Sequence, residues 1–212
     1  MATQAFKIGN LVLKNSNILS PLEGVSCVGF RALCHRNGAA LTFTEMIRAQ
    51  AIQRRNQSTL DLIDTHDPDT PTGLQLLAKS SGELIGALTI LERMAGEKSG
   101  HHFHNISSVD INFGCPSPEI IRSGAGPAML KRRARLMEMF RDFALWRQHT
   151  SLRSIAAIGC KIRLGLNPSG MSQLPLTVQL TFIPMLAIYF SLFVIAQLIA
   201  FFQRRRIRCT CP

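Results

Sequence analysis

Short apolar runs at strand length alternate along the chain with longer stretches whose apolar positions recur every three or four residues. Phe6 to Asn15 reads as a small hairpin around Gly9-Asn10, and Asn17 to Ser20 as a short buried strand stopped by Pro21. Ser26 is the expected N-cap of a helix that buries Val28, Phe30, Leu33 and Cys34 and ends at Gly38. Ala39 to Thr44 is the next strand and Met46 to Arg54 the next helix; Asp61 to Thr72, polar and proline-containing, reads as loop. Gly73 to Leu77 is a third strand. Ser80 or Ser81 caps a helix with Leu84, Ile85, Leu88 and Leu91 on its inner face. A polar loop from Gly96 to Asn105 leads to a fourth strand, Ile106 to Phe113. Leu136, Met139, Phe140 and Phe143 then mark one face of a long basic helix, and Ala156 to Leu164 is a fifth strand.

Strands alternating with helices imply parallel βαβ units, so the expected class is α/β. Polar residues cluster after the strands: Glu23, Glu45, Gln75, Asn112 with Cys115, and Lys161 with Arg163. In a (β/α)8 barrel that is where the active site lies, and a doubly wound sheet follows the same rule at its switch point. The pattern leaves both architectures open.

The character changes after Leu164. No charged residue occurs from there to Gln203, and Leu180 to Phe202 is apolar enough and long enough to cross a bilayer as a helix. Arg204, Arg205, Arg206 and Arg208 follow, the charge placement of a cytoplasmic flank. The expectation is a hydrophobic C-terminal helix in contact with a membrane; a buried core helix is the alternative.

Composition narrows the class. With 212 residues, 46% hydrophobic and 17% charged, the chain is too apolar to be disordered and too mixed for a polytopic membrane protein. Six cysteines are too sparse for a disulfide scaffold, and the lack of a CxxC pair argues against a zinc ribbon. They fit a reducing, cytoplasmic compartment, and Met1 to Gly9 has no apolar signal-peptide core. Residues 1–118 are balanced in charge, so the net charge of +11 belongs to the remainder, and a one-sided basic region suits a polyanionic partner, nucleic acid or anionic membrane.

Asp110-Ile-Asn112-Phe-Gly-Cys115-Pro116 is the sharpest local feature: a strand ends in Asn, and a Gly/Pro turn presents one cysteine. Such a cysteine can be a nucleophile, an acid or a metal ligand. No metal partner lies at ligand spacing, and His101, His102 and His104 read as a solvated loop, so no metal is expected.

Ser20-Pro-Leu-Glu-Gly24, Gly29-Phe-Arg31, Thr44-Glu-Met46, Gly73-Leu-Gln75-Leu, Asp110 to Pro116, Gly124-Ala-Gly126 and Lys161-Ile-Arg-Leu-Gly165 form one series over about residues 6–167. In order and spacing, this series resembles the tRNA-dihydrouridine synthases. The resemblance implies a flavin barrel that reduces uridine in tRNA, with FMN as cofactor and NADPH as electron donor. It implies that Pro21, Leu22, Gln75 and Lys161 hold the cofactor, and that Asn112 and Arg163 hold the substrate. Cys115 would be the catalytic acid; an ordinary thiol, with a pKa of about 8.5, carries its proton at neutral pH. Leu22 stands where the family more often has Met.

The expected organisation is a partial dihydrouridine-synthase-like barrel of about five βα units over residues 1–167. Residues 168–212 are the apolar tail with its arginine cluster. The family's later Gly-rich phosphate-binding strands do not follow Asn167, so weak retention of FMN is expected. An inactive truncated relative and a membrane-tethered RNA-binding fragment are the alternatives to an enzyme.

Overall fold

The computed structural model describes residues 5–65, 71–96, 103, 105–152 and 154–162. The N-terminal hairpin forms from β1 (Phe6–Ile8) and β2 (Leu11–Leu13), paired antiparallel. A five-stranded sheet follows: β3 (Ile18–Leu19), β4 (Leu41–Arg48), β5 (Thr72–Leu77), β6 (Ile106–Phe113) and β7 (Ala157–Ile162). All neighbouring pairs are parallel, and their spatial order is their order in the chain. That is the order of a (β/α)8 barrel; a doubly wound sheet reverses at its switch point. The fold is therefore of the barrel type, with five of its strands among the described residues.

Successive residues of a strand point to opposite faces, and register decides which side chains meet. Leu74, Leu76, Val109, Ile111, Phe113 and Cys160 face outward. They merge with Leu84, Leu88 and Leu91 of α4 (Ser81–Gly96) and with Met139 and Phe143 of α6 (Arg133–His149) into the main core. The opposite face carries Gly73, Gln75, Ser108, Asp110, Asn112, Gly159 and Lys161, aligned across β5, β6 and β7. Gly73 is required by close approach: a Cβ there would come 2.3 Å from the Phe43 ring. The hairpin covers the end where the strands begin. Leu13 packs with Ala40 and Leu41, and Asn10 N–H donates to the carbonyl of Ala156, just before β7.

The structure corrects four expectations. The N-cap of α1 (Val28–Arg36) is Cys27, and the Ser26 hydroxyl instead accepts from Leu22 N–H at 3.0 Å. Leu33 is 48% exposed while Arg31 is buried, because the inner face of α1 is centred on Arg31, flanked by half-buried Phe30 and Cys34. The segment read as a helix from Met46 to Arg54 continues β4 to Arg48, and α2 (Ala49–Gln53) begins only there. Pairing of Met46, Ile47 and Arg48 with β5 overrides the helical spacing of the apolar residues. The loop read from Asp61 to Thr72 begins inside α3 (Gln57–Ile63), whose N-cap Asn56 accepts from Thr59 N–H at 3.0 Å.

Of the two serines, Ser80 caps α4, its hydroxyl accepting from Glu83 N–H. The tail from Leu180 to Phe202, its arginines, the three histidines 101, 102 and 104, and Arg163 lie outside the described residues. No helix among the described residues is long and apolar enough to cross a membrane.

Candidate active site

The polar ends of β5, β6 and β7 meet in register. Gln75 lies opposite Asp110, and Asn112 opposite Lys161. Gln75 Nε2 donates to Asp110 Oδ2 at 2.6 Å, and Asn112 Nδ2 donates to Gln75 Oε1 at 2.8 Å. Asn112 Oδ1 then accepts from the backbone N–H of Gly114 at 3.0 Å and of Cys115 at 2.9 Å. Gln75 and Asn112 are both buried, and Gln75 N–H is held by Thr44 Oγ1 at 3.2 Å. Each amide has two N–H hydrogens and uses one within this row. Gln75, Asn112 and half-buried Lys161 are thus the donor-bearing side chains of this face.

Cys115 sits half-buried on the turn that follows. It packs, with Met46, against the buried cluster of Leu77, Ile120 and Ala125. Beneath it, α5 (Pro118–Arg122) leads to a 3-10 turn (Gly126–Lys131). Gly126 has φ 57°, and a Cβ there would press to 3.0 Å of Ile120 Cγ2, so a glycine is needed to bring this turn under Cys115. The other cysteine of the sheet, Cys160, faces the core. Burial, and secondarily the Asp110 charge, push its thiol far up, so it stays protonated and inert. No group of three or more His, Cys, Asp or Glu able to hold a metal ion occurs among the described residues.

Asp110 is the electrostatic anomaly of the site. Burial raises its pKa to about 7, against the lowering effects of the Gln75 hydrogen bond and the Lys161 charge. The raised value means that the folded state holds this proton more tightly than the unfolded chain does. The stabilisation is therefore complete below the ordinary carboxyl pKa and is lost as pH rises through about 7, at about 1.4 kcal/mol per pH unit within that window. Thermal unfolding from pH 5 to pH 8 should show wild-type stability declining, and Asp110→Asn should flatten the decline. An equally steep decline in the variant would assign the effect elsewhere.

The loop after β3 borders the same end of the sheet. Pro21 is half-buried and Leu22 41% exposed; Leu22 O accepts from Val25 and Ser26 N–H. A register shift between Phe43 and Met46 makes a β-bulge in β4, and Glu45 within it accepts from Gly24 N–H at 2.7 Å. Arg31 anchors the base of the loop. Its guanidinium donates to the carbonyls of Ser26 at 2.7 Å, Leu62 at 3.3 Å and Asp64 at 2.5 Å. Burial holds it below the usual arginine value, opposed by Cys27, Asp64 and Glu45.

The family model described as dihydrouridine synthase matches residues 18–144, more than half of the chain and the segment that builds β3 to α6 around this site. The chain belongs to the dihydrouridine synthase family. A tRNA-dihydrouridine synthase B of Pseudomonas putida is 31% identical over 136 residues, which are 64% of this chain and 37% of the relative. Probable tRNA-dihydrouridine synthases of Mycobacterium tuberculosis and Treponema pallidum are 31% and 29% identical over 137 residues. These cover 61% and 65% of this chain, and 33% and 38% of the relatives. The chain thus spans about a third of the length of these curated relatives.

In this dihydrouridine synthase family member, the structure brings Gln75, Asn112, Cys115 and Lys161 to one end of one sheet face, with Pro21 and Leu22 on the loop bordering that end. Asp110 and Arg31, both within the motifs, stand outside the site residues that the resemblance implies. Asp110 lies two positions before Asn112 on the same strand face, a period-2 signal that was legible. Arg31 was not legible, because its carbonyl partners on α3 and beyond are set by tertiary packing.

Proposed function

We propose that this site serves the FMN-dependent reduction of uridine to 5,6-dihydrouridine in tRNA, with NADPH as the source of electrons. The observation that carries the reading is the donor row of Gln75, Asn112 and Lys161 beside a turn that presents Cys115. That donor set fits the carbonyl-rich pyrimidine edge of a flavin, so Gln75 and Lys161 are assigned to the cofactor, bordered by the Pro21-Leu22 loop. A flavin held there would supply the reducing equivalents for the uracil C5=C6 bond.

This chain's own residues do the rest. Cys115 Sγ gives a proton to C5 and recovers it from solvent. Asn112, whose Oδ1 is committed to the turn, has one N–H with which to orient the base. Lys161 would hold the flavin's pyrimidine edge and stabilise negative charge there. Arg163 is assigned to the substrate by the motif alone. The target base must leave its stack to reach such a pocket. The test is incubation of the protein with FMN, NADPH and an unmodified tRNA transcript, followed by nucleoside mass analysis. Dihydrouridine is expected; its absence, with flavin seen to bind, would reject the reading.

The tRNA is assigned to the basic entry of α6. Lys131, Arg132, Arg133 and Arg135 are all exposed, and no acid stands in the helix's first turn. Cations at a helix N-terminus oppose the macrodipole, so a polyanion there would relieve them. Arg132 also borders the turn beneath Cys115, its guanidinium 3.0 Å from where a Cβ on Gly124 would stand. Arg141, by contrast, is engaged with Asp142 at 3.0 Å. Changing the four N-terminal cations to Gln should reduce the slope of log affinity for tRNA against log salt by about three, at roughly 0.7–0.9 per phosphate. An unaltered slope would leave them a solvated face.

A further inference from the structure

We infer that Asp110 is a positioning residue: through Gln75 and Asn112 it holds the turn that carries Cys115. The inference rests on the proposed function in one respect, that Cys115 is the reacting side chain. The coupling itself stands on hydrogen-bond polarity. At one end of the row, the N–H groups of Gly114 and Cys115 can only donate. At the other, Asp110 Oδ2 accepts from Gln75. Two amides stand between, each with one accepting and one donating end. They satisfy both ends in a single arrangement: Asn112 Oδ1 to the turn, Asn112 Nδ2 to Gln75 Oε1, Gln75 Nε2 to Asp110. Turning either amide over sets donor against donor or acceptor against acceptor.

The row is also mechanically stiff. Gln75 and Asp110 are register partners on adjacent strands, Asn112 lies on the same face of β6, and the Gln75 backbone is tied to Thr44. Remove the acceptor at Asp110, and the buried Gln75 Nε2 loses its partner. The Gln75 amide then keeps only its bond from Asn112, and the row loses its anchor at the end away from the turn. Catalytic groups tolerate little misplacement, so a terminal acceptor outside the reacting set matters to the acid it helps to place.

The test reads the turn and does not depend on flavin or turnover. Amide hydrogen exchange at Gly114 and Cys115, and site-resolved alkylation of Cys115, are measured in wild type, Asp110→Leu and Asp110→Asn. Asp110→Leu should speed both by about tenfold, the worth of one ordinary hydrogen bond, while the amides of α4 keep their protection. Asp110→Asn retains an acceptor and should stay close to wild type. Wild-type rates in a folded Asp110→Leu, or an equal loss in Asp110→Asn, would overturn the inference. Should Asp110→Leu not fold, the side-chain NH2 signals of wild-type Gln75 and Asn112 decide: each should have one slowly exchanging hydrogen, and two fast ones would break the row. Failure of dihydrouridine formation with an intact exchange response would reject the proposed function and leave the coupling standing.

Discussion

Cys115→Ala is expected to lower dihydrouridine formation by about two to four orders of magnitude, the usual worth of a positioned general acid. Reduction of bound flavin by NADPH should survive, because the cofactor contacts assigned to Gln75 and Lys161 do not involve this side chain. The cause is local. Cys115 is held by its own N–H to Asn112 Oδ1 and rests on Leu77, Ile120 and Ala125, so removing one sulfur leaves the turn in place and removes only the proton. Stopped-flow measurement of the two half-reactions separates the cases. Collapse of the reductive half-reaction as well would show that Cys115 supports the cofactor instead of the base. Cys160 is the internal control: outward-facing and buried, it should resist alkylation under conditions that modify Cys115.

The largest effect on stability is expected at Arg31. Arg31 is 2% exposed, and its guanidinium donates to three backbone carbonyls, tying the loop before α1 to the end of α3. Arg31→Met preserves most of the volume and removes every donor. Each buried polar group left unpaired costs about 1–3 kcal/mol, so a loss of at least about 3 kcal/mol is expected, and with it a fall in Tm of about 10 °C for a chain of this size. Thermal unfolding followed by circular dichroism measures it. A shift as small as that of an ordinary surface substitution, about 0.5 kcal/mol, would mean that the three carbonyls find other partners. Arg31→Lys should recover only part of the loss, since one ammonium lacks the planar fork that reaches across the three acceptors.

Much of the architecture was legible because its signals are local. The strand-length segment Ile106 to Phe113 and the Gly/Pro turn after it located β6 and the Cys115 turn. The 3.6-residue spacing of Leu84, Leu88 and Leu91 located α4, and that of Leu136 to Phe143 located α6. Strand ends rich in Gln, Asn and Lys pointed to the end of the sheet where the candidate site lies, and the motif series pointed to the family that the comparison with known proteins establishes.

Other features were decided only by packing. Met46, Ile47 and Arg48 lie in a strand because β5 is there to pair with them. Leu33 is outside and Arg31 inside because backbone carbonyls on α3 and beyond compensate a buried charge. The raised pKa of Asp110 and its bond to Gln75 join residues 35 apart, through a register that no local pattern encodes. The sequence by itself determined which residue types stand at the strand ends, since short-range periodicity and turn chemistry suffice for that. Only the tertiary structure decided which of them touch, because a hydrogen bond between strands depends on alignment to within one residue, and a one-residue slip turns each side chain to the other face.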